Sequence, residues 1–350
     1  MNKNKKAPKV VISGYYGFNN FGDDAVLSVL VDSLKKSGVE DITVFSKNPK
    51  STKEMFKVKS SKTFGVFGLL YNLMRCDFLI SGGGSLLQDA TSVKSLIYYL
   101  CVIMTALFFR KKVIIFAQGL GPINNKLFEK ITALVLKHCT YITVRDEKSL
   151  FLARSWGLNP DLVSDPVWNI KLKTKYSHRG VGIQLREWPS LTPQMLKDFA
   201  KYIADVYSDK IIFIYALQAA LDLEICEQLE VELLKINPDL HTHVVTNRAT
   251  FEIVEAFSHL DELIAMRYHA CLLGLKYGIR VLPIIYDPKV EKLADEFGLT
   301  SRLMLHGEFE AEKKIRNLRY GEYHVDEEKV SRKKFDFHKF EDVLFPDEKN

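Results

Sequence analysis

Apolar residues follow two rhythms along this chain. Short runs rich in β-branched and aromatic residues, bounded by glycine, asparagine and aspartate, alternate with longer stretches in which apolar positions recur at helical spacing. The first rhythm predicts strands and the second predicts helices. In the first half, strands are expected at residues 10–13, 42–46, 77–81, 113–118 and 141–145, each feeding a loop and a helical stretch such as 23–36. These strands are apolar on both faces, as in Val113-Ile-Ile-Phe-Ala117. That is the pattern of a parallel sheet covered by helices on either side.

After Asp165-Pro166 the pattern gives way to Lys171-Leu-Lys-Thr-Lys-Tyr-Ser-His-Arg179, polar and basic without apolar periodicity, which reads as a linker. The alternation restarts with strands expected at 180–185, 211–215, 243–246, 260–266 and 281–285. The expected fold class is α/β, with two Rossmann-like domains facing across a cleft. Residues 1–172 form the first domain and 178–306 the second, and 307–350 form a charged extension laid over both, with Phe335, Phe337, Phe340 and Phe345 as docking points. Ligands of doubly wound sheets bind beyond the carboxyl ends of the strands, so residues just after each strand are the functional candidates.

Composition narrows the class. Of 350 residues, 47% are hydrophobic and 26% charged, the balance of a globular protein with a large core. Lys plus Arg is 49 against 43 Asp plus Glu, a net charge of +6. So small a surplus speaks against a nucleic-acid partner and leaves room for an anionic substrate or an acidic membrane surface. Cys76, Cys101, Cys139, Cys226 and Cys271 lie in or beside apolar segments without C-x-x-C spacing, and read as buried thiols of a reducing cytosol. The basic stretch before residue 10 lacks the apolar core of a secretory signal. The apolar run 95–109 is shorter than the roughly 20 residues that cross a bilayer and is expected to be a core helix.

Several strand ends carry candidate chemistry. The first leads into Ser13-Gly-Tyr-Tyr-Gly-Phe-Asn-Asn-Phe-Gly-Asp-Asp24. Asp23 and Asp24 at the helix start oppose a phosphate there, whereas Tyr15, Tyr16, Asn19 and Asn20 offer aromatic faces and amides suited to a neutral sugar. A plain glycine turn with a helix cap fits the same residues. In Ser81-Gly-Gly-Gly-Ser-Leu-Leu-Gln-Asp89, Gly82, Gly83 and Gly84 permit close backbone approach, and the helix expected to follow favours an anion. Ala117-Gln-Gly-Leu-Gly-Pro-Ile-Asn124 has the same placement.

Arg145, at a strand end, either presents a fork to carboxylate or phosphate or pairs locally with Asp146. Met266-Arg-Tyr-His-Ala-Cys271 puts His269 near a helix start, with its amide and that of Tyr268 aimed at an anion; a lone histidine is also often structural. Lys289 either adds a point charge or is simply solvated. Together Arg145, Arg267, His269 and Lys289 would suit a small polyanion carrying phosphate and carboxylate. Without G-x-x-x-x-G-K-[ST], H-E-x-x-H, G-x-S-x-G or EF-hand spacing, no metal is expected.

In order, Gly14-Tyr-Tyr-Gly-Phe-Asn-Asn-Phe-Gly-Asp-Asp24, Ser81-Gly-Gly-Gly-Ser-Leu-Leu-Gln-Asp89, Gln118-Gly-Leu-Gly-Pro122, Val144-Arg-Asp-Glu147, Ser164-Asp-Pro166 and Arg267-Tyr-His-Ala270 resemble the polysaccharide pyruvyl transferase family, in particular its CsaB-type bacterial members. The resemblance covers residues 10–299 and implies a GT-B-like fold. It also implies transfer of the pyruvyl unit of phosphoenolpyruvate, a co-substrate with no further cofactor, onto N-acetylmannosamine of a secondary cell-wall polymer that anchors surface-layer proteins. By the same resemblance Arg145, His269 and Lys289 match positions tied to donor binding and catalysis, with His269 as the catalytic residue; Arg267, Tyr268 and Gly82 to Gly84, from their placement at strand ends, are further donor-binding candidates. Tyr15, Tyr16, Asn19, Asn20, Asp23 and Asp24 lie on the acceptor side, with Asp23 or Asp24 as base. Asp24 stands where relatives carry glutamate, and Tyr268 where many carry leucine.

A cytoplasmic enzyme is expected, touching the inner face of the membrane through Arg110-Lys-Lys112 and the basic amino terminus if its acceptor is lipid-linked. The rival readings are a GT-B nucleotide-sugar glycosyltransferase and a non-catalytic module for anionic glycan. Oligomeric state, acceptor chain length and the hydroxyls that are ketalised are not set by the sequence.

Overall fold

The computed structural model describes residues 7–90, 92–174, 180–305 and 310–346. The chain divides into two compact units, one made of Met1–Ile170 with Lys334–Asn350 and the other of Lys171–Lys333. In the first unit seven parallel strands, β1 (Val10–Ser13), β2 (Ile42–Ser46), β3 (Lys59–Lys62), β4 (Phe78–Ser81), β5 (Lys112–Gln118), β6 (Tyr141–Val144) and β7 (Asp161–Leu162), lie in the order β3-β2-β1-β4-β5-β6-β7. In the second, β8 (Gly180–Gln184), β9 (Ile211–Ala216), β10 (Thr242–Thr246), β11 (Leu260–Ala265), β12 (Arg280–Ile285) and β13 (Leu303–Met304) lie in the order β10-β9-β8-β11-β12-β13. Each is a doubly wound sheet whose direction of growth reverses once, between β1 and β4 in one unit and between β8 and β11 in the other. Those reversals are the switch points at which such folds bind ligands.

All ten expected strands form, each within one residue of its expected ends. β3, β7 and β13 were not expected. β3 is Lys-Ser-Ser-Lys, a half-exposed edge strand held by pairing to β2 and blunted by charge, so it carries no apolar signal. β7 and β13 are two residues long at their sheets' other edges.

The single carboxyl-terminal extension expected over 307–350 is instead divided between the units; residues 306–309, like 1–6 and the 175–179 part of the expected linker, lie outside the described residues. The helix Ala311–Tyr320 buries Ile315 and Leu318 in the second core, and Arg319 pairs with Asp209 at 2.8 Å. The last segment returns to the first unit. Phe335, Phe337 and Phe340 surround the ring of Phe116 on β5 at 5.0, 6.0 and 5.3 Å, and the side-chain amide of Asn169 donates to Phe335 O and accepts from Phe335 N, each at 2.8 Å. Aromatic burial therefore decides where that charged segment docks.

The apolar run near 95–109 becomes the helix Val93–Phe108, capped by Ser92, with Leu96, Leu100 and Ile103 in the first core. Among the described residues no helix is long and apolar enough to cross a membrane. Cys76, Cys226 and Cys271 are buried, but Cys101 is exposed and Cys139 half-buried, which corrects the expectation of five buried thiols. Cys101 sits one turn beyond Ile97, on the helix face turned away from the sheet.

Candidate active site

At the first switch point the loop after β1 closes on the loop after β4. Asn20 caps the helix Phe21–Lys36, accepting from the Gly22 amide and donating Nδ2 to Asp23 Oδ2 at 2.5 Å. Asp24, one residue on, is buried, and its carboxyl is raised from 3.8 to about 8 by burial and by the charge of Asp23. Asp24 therefore keeps its proton at neutral pH, chiefly because burial disfavours its charged form. Tyr15 is half-buried and stacked on Phe18 with centroids 4.0 Å apart, and Asn19 is exposed with φ of 53°.

Two assignments at this edge change. Tyr16 is fully buried, so its ring cannot face an acceptor; the hydroxyl instead fills the space where a Cβ on Gly82 would stand. Gly84 has φ of +97°, and a Cβ there would lie 2.7 Å from Asp23 Oδ1. The triple glycine therefore packs against the protein's own side chains beside a carboxylate, a poor neighbour for the donor's phosphate, which removes the reason for giving Gly82, Gly83 and Gly84 to the donor. The expected helix does not follow directly either, because Ser92 caps a helix that starts at Val93. The loop is held from below by Gln118, whose Nε2 donates to Ser81 O, Ser81 Oγ and Gly82 O at 3.1, 2.7 and 2.9 Å.

Arg145 leaves β6 and reaches the same loop. Its guanidinium donates to Asp165 Oδ2 and to Ser85 Oγ, each at 3.2 Å, and it is largely buried with its aspartate. Asp146 is engaged as the cap of the next helix, accepting from the Ser149 amide and hydroxyl at 2.8 Å. The ion pair is thus long-range, with the aspartate of Ser164-Asp-Pro166, which also accepts from the Val167 amide at 3.0 Å.

At the second switch point the edge is cationic. Arg267, at the end of β11, is gripped by the fully buried Asp222 through Nε at 2.7 Å and NH2 at 2.5 Å. Asp222 also accepts from the Gln218 amide, and Gln184 at the end of β8 accepts from the Arg267 amide at 2.8 Å. Arg267 caps the helix Tyr268–Lys276, so His269 stands in its first turn, half-buried, edge-on to Tyr268 at 5.1 Å. On the neighbouring β12 the chain runs into the helix Pro288–Glu296, where Lys289 is exposed and its amide donates to Asp287. Arg186, just beyond β8, lies over Trp188 and Tyr286 at 5.5 and 6.0 Å, with its Nε buried and unpartnered among the described residues.

A profile of the family described as polysaccharide pyruvyl transferase matches residues 20–288. The chain belongs to the polysaccharide pyruvyl transferase family. The span runs from Asn20 to Pro288 and so contains Asp23, Asp24, the triple glycine, Arg145 and Arg267-Tyr-His269; Tyr15, Tyr16, Asn19 and Lys289 lie just outside it. None of the curated proteins compared matches this pyruvyl transferase family chain. Among solved structures it is similar to the UDP-GlcNAc 2-epimerase of Methanocaldococcus jannaschii, at 9% identity and a TM-score of 0.61, covering 92% of this chain and 97% of that one. It is also similar to Anabaena HepE in complex with UDP-glucose, at 10% identity and a TM-score of 0.61, covering 96% and 98%. At such identities the likeness is one of fold, two Rossmann-type α/β units of the GT-B-like class.

In this family member Asp165, Asp222, Gln184 and Arg186 were not singled out by role in the sequence. Arg186 and Gln184 carry the same signal that selected Arg145, a polar residue at a strand's carboxyl end. Asp222 lies inside the helix Ala219–Ile236 and shows nothing in sequence that separates it from a surface carboxylate.

Proposed function

We propose that the protein moves the pyruvyl group of phosphoenolpyruvate onto N-acetylmannosamine of a lipid-linked secondary cell-wall polymer precursor, as a cyclic 4,6-type ketal, with release of phosphate. The observation that carries this reading is the family match over 20–288, which includes both the acidic pair and the Arg-Tyr-His turn. In support, Arg186, Arg267 and Lys289 leave three adjacent parallel strands at one edge, β8, β11 and β12, where they suit a ligand bearing phosphate and carboxylate.

In this proposal His269 protonates the methylene carbon of the enol phosphate. One sugar hydroxyl adds to the resulting oxocarbenium-like carbon; phosphate leaves, and a second hydroxyl closes the ketal. Of the two hydroxyl protons, one replaces the proton given to carbon and the other departs with phosphate. Asp23 is assigned as first acceptor of a hydroxyl proton, with Asp24 keeping the pair singly charged, and Arg145 as a further cation for the donor. The neutralising charges act in the transition state, where such terms are large.

The test is to incubate the protein with phosphoenolpyruvate and a lipid-linked N-acetylmannosamine disaccharide, and to measure ketal by mass and phosphate by release. Folded protein giving neither product with a panel of acceptors sinks the reading. A nucleotide-sugar reaction is the second reading, favoured by fold relatives solved with UDP-sugars. Calorimetry separates them: affinity for UDP without affinity for phosphoenolpyruvate favours the second.

A further inference from the structure

We infer that the outer face of the helices Val66–Arg75, Val93–Phe108 and Lys126–Leu136 docks on an anionic lipid bilayer. These helices pack side by side on the first unit, and their inward faces fill its core through Leu73, Leu96, Leu100, Ile103 and Leu136. Their outward faces are also apolar. Phe67, Tyr71 and Met74 follow one another at helical spacing on the first helix, with Phe67 90% exposed. Val93, Ile97, Cys101, Met104 and Phe108 do the same along the full length of the second, about 24 Å at 1.5 Å per residue, with Phe108 81% exposed. Leu127 and Leu134 continue the surface on the third. Scattered exposed apolar residues need no explanation, whereas a continuous face of this kind marks an interaction site.

Charge identifies the occupant. No acidic residue occurs between Glu54 and Asp77, nor between Asp89 and Glu129, while these stretches carry Lys57, Lys59, Lys62, Arg75, Lys94, Arg110, Lys111, Lys112 and Lys126. Two cations fringe the aromatic rings themselves: Lys47 lies 5.9 Å from the Phe64 ring and Arg75 lies 5.2 Å from that of Tyr71. Glu129 pairs with Lys126 and Asp41 with Lys59, and the other cations outnumber these acids. Exposed aromatics and aliphatics bordered by an excess of lysine and arginine are the composition of an interfacial membrane helix, which lies in the headgroup plane and does not span. The expected contact at Arg110-Lys-Lys112 thus becomes the end of a larger surface; Lys3, Lys5 and Lys6 lie outside the described residues. This inference stands apart from the pyruvyl-transfer reading, because it needs no catalysis.

The experiment is co-sedimentation of the full chain with vesicles of phosphatidylcholine alone or mixed with phosphatidylglycerol. Pelleting is expected with the mixed vesicles, weakening in high salt, and falling roughly tenfold in the double variant Phe67→Ser/Phe108→Ser. Lys94→Glu/Lys112→Glu, which leaves the apolar stripe intact, should lose the preference for phosphatidylglycerol. Absence of pelleting at low salt overturns the inference. So does a concentration-dependent dimer that the serine variant dissociates, since the face would then bind a second copy.

Discussion

The two sheets share one strand order over six strands, the first adding a seventh at its edge, and their switch points are oppositely furnished. In the first unit the loops after β1 and β4 close on each other, Tyr16 and Asp23 occupying the space that Gly82 and Gly84 leave, and the chemistry there is the half-buried carboxyl of Asp23 beside the buried one of Asp24. In the second, Gln184 at the end of β8 accepts from the Arg267 amide beyond β11 and ties the two strand ends together, Asp222 grips the Arg267 guanidinium, and the chemistry at the edge is Arg186, Arg267 and the first turn carrying His269. One fold therefore supplies an acidic edge and a cationic edge, and side chains behind the loops decide which is which. A glycine-rich loop, the usual sign of a phosphate cradle, belongs here to the acidic side.

The largest effect should come from the cationic edge. His269→Ala is expected to lower kcat for ketal formation roughly a hundred- to ten-thousand-fold while leaving the circular dichroism spectrum unchanged. Rates near wild type would take His269 out of the chemistry and remove the reason for placing the reacting carbon at this edge.

Next is the difference between the two buried ion pairs. Asp222 holds Arg267 through Nε and NH2 at 2.7 and 2.5 Å and also accepts from the Gln218 amide, whereas Asp165 accepts from Arg145 NH1 at 3.2 Å and the same guanidinium reaches Ser85 at 3.2 Å. Asp222→Ala strands a buried cation and a backbone amide and should cost about 3–5 kcal/mol of unfolding free energy in urea. Asp165→Ala should cost less, by about 2 kcal/mol, because its contact with the arginine is longer, 3.2 Å against 2.7 and 2.5 Å. Equal losses would mean that the two arginines are held alike.

Both partners of these pairs illustrate what a sequence can carry. The strands were legible because burial on both faces writes an unbroken apolar run, and their carboxyl ends pointed to Arg145, Arg267 and His269. Their counter-ions were not legible, since Asp165 and Asp222 act from 20 and 45 residues away and only the folded chain brings them in. Tyr16 misled for the same reason. An aromatic residue in a glycine loop reads as a binding face, and only packing against Gly82 shows that it is filler. The course of residues 310–346 was hidden because a few aromatics, not the prevailing charge, determine its docking.

The acidic edge can be tested by titration. Asp24 is raised from 3.8 to about 8, so between these values the folded chain binds more protons than the unfolded one. Its contribution to stability is full below about pH 4 and is lost as pH rises through about 8. The melting temperature of the wild type should therefore fall between pH 6 and 9 by more than that of Asp24→Asn, which carries no titrating group. A variant that tracks the wild type across this range would show that Asp24 ionises normally, and the contrast between the two edges would lose its acidic half.

The smallest effect is expected at Lys289, and it sharpens the cationic half. Unlike Arg267, its side chain is exposed, on the first turn of a helix, where Asp287 secures the backbone amide. A solvated lysine meets an anion through a screened point charge worth about 0.2–1 kcal/mol. Lys289→Ala should thus raise KM for phosphoenolpyruvate about two- to fivefold, more at low salt than at high, with kcat unchanged. Because the charge acts equally on bound donor and on transition state, a fall in kcat instead would place Lys289 against the departing phosphate. The cationic edge would then extend from β11 across β12 as one catalytic surface.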